Sequence, residues 1–235
     1  MKRILSILLT ILFVFLMTAC KQNIKESDKP KKNIFETSDT ESLTICSKEY
    51  VDEFMDILDD GNFRLDGLYG DEKPSKKNCY NVTPPQISKS TDIKIFKFSD
   101  TCLSFALIEN NLYSICRSLG GFGFVNAVPW DYDNDGNVDL LVASSWGSGL
   151  HRSEISVFNV VTKESIIIFD TLGLEEKQVD LIIKTVADKE EIIYELHTAD
   201  VQFNDDNLAD LSYELTGLVG TVELELGTPV VKLIK

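Results

Sequence analysis

Four aspartates stand within nine residues, in Asp131-Tyr132-Asp133-Asn134-Asp135-Gly136-Asn137-Val138-Asp139. Carboxylates this close repel one another unless a cation sits among them. Oxygen donors at loop positions 1, 3, 5 and 9, a main-chain carbonyl at 7 and a glycine at 6 for the sharp turn suit a hard ion such as Ca²⁺. The expected ligands are the side chains of Asp131, Asp133, Asp135 and Asp139 and the main-chain oxygen of Asn137. Mg²⁺ fits less well, because it keeps its waters rather than enter an all-protein cage. An EF-hand would need glutamate at position 12 and a helix on each side. Position 12 is Val142, and Val138, Leu140, Leu141 and Val142 open a strand instead. The loop contains no base or nucleophile beyond its ligands, so the expected role of the ion is structural.

A second chemistry-bearing stretch follows between two strand signals: Ser145-Trp146-Gly147-Ser148-Gly149-Leu150-His151-Arg152-Ser153. A serine hydrolase would use Ser148 or Ser145 as nucleophile and His151 as base. The Gly-x-Ser-x-Gly elbow is absent, since Trp146 and Leu150 take the glycine places around Ser148 and Ala143 takes the first around Ser145. The favoured expectation is a structured turn in which glycines take positive φ, Trp146 covers core, and Arg152 or His151 pairs with the acidic loop. An intermediate reading makes Trp146, His151 and Arg152 a ligand patch beside the metal loop.

The acidic loop resembles the calcium loop of FG-GAP repeats, found in integrin α-chain propellers and in VCBS-type bacterial surface proteins. Phe122-Gly123 precedes Asp131 by seven intervening residues, and Asp139-Leu140-Leu141-Val142 supplies the strand that follows. Ala143-Ser144-Ser145 stands where the family often closes on Gly-Ala-Pro. The likeness spans residues 122–145 and implies a calcium ligand set of Asp131, Asp133, Asp135, Asp139 and Asn137. A weaker copy, Asn204-Asp205-Asp206-Asn207-Leu208-Ala209-Asp210, lacks the glycine and is expected to be a solvated turn.

The amino terminus carries an address. Met1-Lys2-Arg3 is basic, Ile4 to Met17 is apolar, and Thr18-Ala19-Cys20 is a small-residue cleavage site, the pattern of a secretory signal. It resembles the lipobox of bacterial lipoproteins, with Met17 in place of the usual Leu, Val or Ile. That resemblance implies cleavage after residue 19, a lipid on Cys20, and anchorage to the outer face of a bacterial plasma membrane or to an outer membrane. The apolar run is shorter than the ~20 residues a spanning helix needs.

The formal charge is −15 over 235 residues. Such a surface repels phosphate backbones and anionic headgroups, so nucleic acid is not an expected partner. Membrane contact is expected through the lipid on Cys20 rather than through a basic patch. Cys46, Cys79, Cys102 and Cys116 are compatible with two disulfides, and three pairings remain open. With no Cys-x-x-Cys and only His151 and His197, structural zinc is not expected.

Residues 20–42 are polar and charged around Lys29-Pro30-Lys31-Lys32 and read as a disordered tether with a reach of about 25 Å. Ser47 is placed to cap a helix with Val51, Phe54, Met55 and Leu58 on one face and Gly61 beyond its end. Leu65 to Lys89, with Pro84-Pro85, reads as an irregular excursion. Short strand signals then run to the carboxyl terminus, separated by hairpin-sized loops such as Thr162-Lys163-Glu164. Leu172 to Ile183 also fits a loose helical stripe. The expected fold is mainly β, an antiparallel sheet or two-layer β domain over residues 43–235 with one amino-terminal helix. A closed seven-bladed propeller does not fit, because it needs about four strands per blade.

The expected function is that of a lipid-anchored, exported binding or interaction module with a structural calcium loop, engaging a protein or glycan partner. The alternatives are the serine-type hydrolase above and a purely structural envelope lipoprotein.

Overall fold

The structure, a computed structural model, describes residues 46–59, 78–117, 120–147, 152–174, 178–188 and 191–234. The lipobox, Cys20, the tether, and Ser148 to His151 lie outside these residues. The described residues all fall within the structural unit Asn33–Lys235.

Helix α1 (Lys48–Asp59) starts where the sequence places it. The Tyr50 amide donates to the Ser47 hydroxyl oxygen at 3.5 Å, and the Val51 amide donates to the Ser47 carbonyl at 3.2 Å. Val51, Phe54 and Met55 are buried. Phe54 stacks on Phe105 and Phe98 with ring centroids 4.5 and 5.9 Å away. Burying this ring fully contributes about 2–3 kcal/mol.

Three four-stranded antiparallel meanders follow, each with its strands in chain order. The first holds β1 (Cys79–Asn81), β2 (Lys94–Phe98), β3 (Ser104–Ile108) and β4 (Asn111–Tyr113). The second holds β5 (Gly123–Trp130), β6 (Asp139–Trp146), β7 (Arg152–Asn159) and β8 (Glu164–Asp170). The third holds β9 (Asp180–Asp188), β10 (Glu191–Asn204), β11 (Asn207–Glu225) and β12 (Thr228–Leu233). The fold is mainly β, with no closed barrel or propeller among the described residues. Neither described helix is long and apolar enough to cross a membrane.

Two expectations need correction. The described part of the supposed excursion contains β1 and a second helix, α2 (Pro85–Ser90). Pro84-Pro85 begins this helix instead of preventing it, because Pro85 sits in its first turn, where a missing N–H costs nothing and a fixed φ is already helical. Where Leu172 to Ile183 also fits a helical stripe, the described residues form a 3₁₀ turn (Thr171–Gly173) and the start of β9.

The mainly β, antiparallel fold is as expected, and of its three sheets the second is the middle layer. Leu140 and Val142 of β6 pack with Ile95, Ala106 and Ile108 of the first sheet. Leu141 and Ala143 pack with Leu181, Ile183 and Leu196 of the third. An uninterrupted apolar run is what a strand covered on both faces requires. On the outer side of the first sheet, α1 closes a separate core with Phe96, Phe98, Phe105 and Leu107. A bulge between Phe124 and Asn126 turns Val125 toward Ile182, Val201 and Leu211. The Asn126 amide then clasps β9, donating to the Ile183 carbonyl at 2.8 Å and accepting from its N–H at 3.2 Å.

Candidate metal centre

The acidic loop joins β5 to β6, a hairpin at one edge of the second sheet whose strands are anchored in both cores. Its turn follows from its residues. Asn134 and Gly136 take positive φ (57° and 87°), and the aspartates fold the backbone around their own oxygens. The Asp135 amide donates to Asp131 Oδ1 at 3.1 Å and to Asp133 Oδ1 at 3.2 Å. The Gly136 amide donates to Asp131 Oδ2 at 3.2 Å, and the Asn137 amide to Asp135 Oδ1 at 2.7 Å.

These turns bring carboxylate oxygens of Asp131, Asp133 and Asp135 within 4.8 Å of one another. Asp139 stands outside that trio, at the base of the loop, and is 1 % exposed. Its Oδ1 accepts from the Val160 amide at 2.7 Å, while its Oδ2 is buried with no hydrogen-bond partner. Burial pushes its carboxyl up to about 6, and the charges of Asp133, Asp135 and Asp131 add to that push against the Val160 bond. An orphaned buried carboxylate oxygen beneath three converging carboxylates is chemically suited to a hard, oxygen-seeking cation. Asn137 is exposed, with its amide turned to Asp135.

Asn159, at the end of β7, was not singled out by sequence. Its Nδ2 donates to Asp133 Oδ2 at 3.0 Å and to the Tyr132 hydroxyl at 3.3 Å, while its Oδ1 accepts from the amides of Val161 and Thr162. One amide side chain thus ties the β7–β8 turn to the acidic loop. An Asn opening a turn is a legible signal; that it would reach Asp133 is not.

The second stretch lies elsewhere. Asp139 begins β6 and Trp146 ends it, and seven steps of ~3.3 Å put them about 23 Å apart. A patch at Trp146 is therefore not beside the metal loop, and Arg152 does not pair with that loop. The Arg152 and Arg117 guanidinium carbons instead lie 5.3 and 4.8 Å from the centre of the Trp146 ring, a cation–π arrangement. Arg117 Nε is also 3.1 Å from Glu154 Oε2, and Glu154 is almost fully buried. Burial raises the Glu154 carboxyl and Arg117 opposes the rise. Arg117 lies 29 positions before Trp146 in sequence, with no local pattern to join them. Ser145 is fully buried, its hydroxyl oxygen accepting from the Phe122 amide at 3.2 Å. That placement gives it a structural task and keeps a substrate away from it.

The Phe-Gly pair is positioned by the same contact. Gly123 has φ +67°, and a Cβ there would lie 2.0 Å from the Cys102 carbonyl oxygen. The Asn204–Asp210 stretch forms a tight turn at Asp205-Asp206, both at positive φ, with Asn204 paired to Asn207 across the hairpin.

No family model matches the chain, and no curated protein or solved structure is significantly similar to it.

Proposed function

We propose that the chain is an exported bacterial lipoprotein, anchored through Cys20 to a cell-envelope membrane, whose β domain is a calcium-stabilised binding module. The observation that carries the calcium reading is the buried, unpartnered Oδ2 of Asp139 beneath the Asp131, Asp133 and Asp135 carboxylates. Asp131, Asp133, Asp135 and Asp139 would hold the ion, with Asn137 contributing its main-chain oxygen. Bound calcium would offset the repulsion among the four carboxylates and lock the β5–β6 loop to the β7–β8 turn. Its role is structural. The signal and lipobox of residues 1–20 support the location, and the acidic surface suits contact through lipid rather than direct headgroup binding. The partner, a protein or glycan, meets a surface such as the Trp146 end of the second sheet, where two guanidinium groups flank one indole.

The test is a thermal melt of the protein in EGTA and again in millimolar Ca²⁺. Calcium at ~100 times its dissociation constant would stabilise the fold by about 2.7 kcal/mol, a rise of roughly 5–10 °C at this size. Identical melts would overturn the calcium reading. Palmitate labelling of the full chain in a bacterial host, lost in Cys20→Ser, tests the anchor separately.

A further inference from the structure

We infer that Cys46 and Cys79 are the partners of a disulfide that fastens the start of α1 to the first sheet. The sequence leaves three pairings open; the fold separates them. The Cys46 amide donates to the Cys79 carbonyl at 2.6 Å. The covalent bonds on either side of this hydrogen bond keep the two α-carbons within about 6.8 Å, the upper limit of the ~4.4–6.8 Å window that a disulfide spans. Both thiols are free in this structure, and both are buried in the core that α1 closes against Phe96, Phe98 and Phe105. Cys116 packs against the core on the opposite side of the first sheet, its sulfur 3.1 Å from the Ser104 hydroxyl. Pairing across the sheet with Cys46 or Cys79 is therefore excluded.

The two thiols interact directly. A hydrogen bond from Cys79 draws the Cys46 thiol below its ordinary value, and the same bond with burial pushes Cys79 up. Cys46 also lines a cavity of about 390 Å³ with Ser47, Tyr50, Asn81 and Lys94, whereas Cys79 is fully enclosed. Cys46, 5 % exposed against 0 % for Cys79, is the first of the two that an incoming reagent meets. Its thiolate attacks a small or protein disulfide, forming a mixed disulfide and releasing one thiolate of the oxidant. The Cys79 thiolate then attacks the Cys46 sulfur and expels the second. Two thiols lose two protons and two electrons, and the oxidant's disulfide becomes two thiols. Persistence of the bond in the cell rests on the exported location proposed above; its formation rests on the geometry alone.

The test uses the full chain equilibrated with oxidised glutathione, alkylated without reductant, digested and mapped by mass spectrometry. The expected product is a peptide pair joining Cys46 to Cys79, lighter by two hydrogens than the separate thiols and split by dithiothreitol. The oxidised protein should melt roughly 5–15 °C above its reduced form. Alkylation of Cys46 and Cys79 separately, or a link from either to Cys102 or Cys116, would overturn the pairing. An unchanged melt on reduction would overturn the fastening role.

Discussion

Asp139 and Val160 share a 2.7 Å hydrogen bond that joins the first residue of β6 to the turn after β7, using one oxygen of a carboxylate whose other oxygen has no partner. The buried charge is held there against the repulsion of three neighbours. Asp139→Asn keeps an acceptor for Val160 and removes the charge. Its melt in EGTA at pH 7 should match or exceed that of the parent, and its calcium-induced rise should vanish. Asp135→Ala, at an exposed site, should change the EGTA melt by no more than about 1 kcal/mol and also abolish the rise. A rise that survives both changes would count against these ligands.

Two glycines in the β5–β6 hairpin differ in what their missing side chains allow. Gly123→Ala adds a Cβ at φ +67° only 2.0 Å from the Cys102 carbonyl oxygen, so backbone must move. The expected cost is about 3–4 kcal/mol, a fall of roughly 8–15 °C in Tm. Gly136→Ala is placed at φ +87° with open space around it, and strain alone should cost about 1–2 kcal/mol. Equal losses in paired melts would refute the steric argument.

Lys97 supplies a pH dependence. Its side chain is 1 % exposed, and Nζ donates to the Phe124 carbonyl at 3.0 Å. Burial lowers the amine to about 7, against the weaker pull of Cys116, Cys102 and Asp180. Between pH 7 and its ordinary value the unfolded chain therefore holds a proton that the native state lacks. Stability must rise with pH across that interval. From about pH 8.5 the raised thiols oppose it: Cys116 is pushed up to about 12 by burial and Cys102 is also raised, so the native state keeps protons the unfolded chain releases. The visible window is pH 7 to 8.5, with a gain of about 2 kcal/mol. Denaturant titrations should show this slope in the parent and a flat profile in Lys97→Met; a slope unchanged by the substitution would assign it elsewhere.

Local physics was legible in the chain. Ser47 with Val51, Phe54 and Met55 specified α1, because capping and a 3.6-residue apolar period act within a dozen residues. The alternating acidic loop specified its own turn, because each aspartate reaches a backbone amide two to five positions away. Pro84-Pro85 was misjudged, since a proline's effect depends on whether it lies inside a helix or at its first turn.

Everything that depends on pairing across distance was decided by the tertiary structure. The apolar run Leu140 to Ala143 announced burial, but not that its two faces would meet two different sheets. Only that stacking places Asp139 with an oxygen enclosed and holds Arg117 and Arg152 over Trp146 some 23 Å away along β6, and only the docking of α1 on the first sheet brings Cys46 against Cys79 from 33 positions away. The amino acids determine which oxygens, rings and thiols exist and how each bends its own neighbourhood. Which of them meet is set by packing, because the energy of a buried contact depends on the shape of both surfaces, and one strand carries only half of that information.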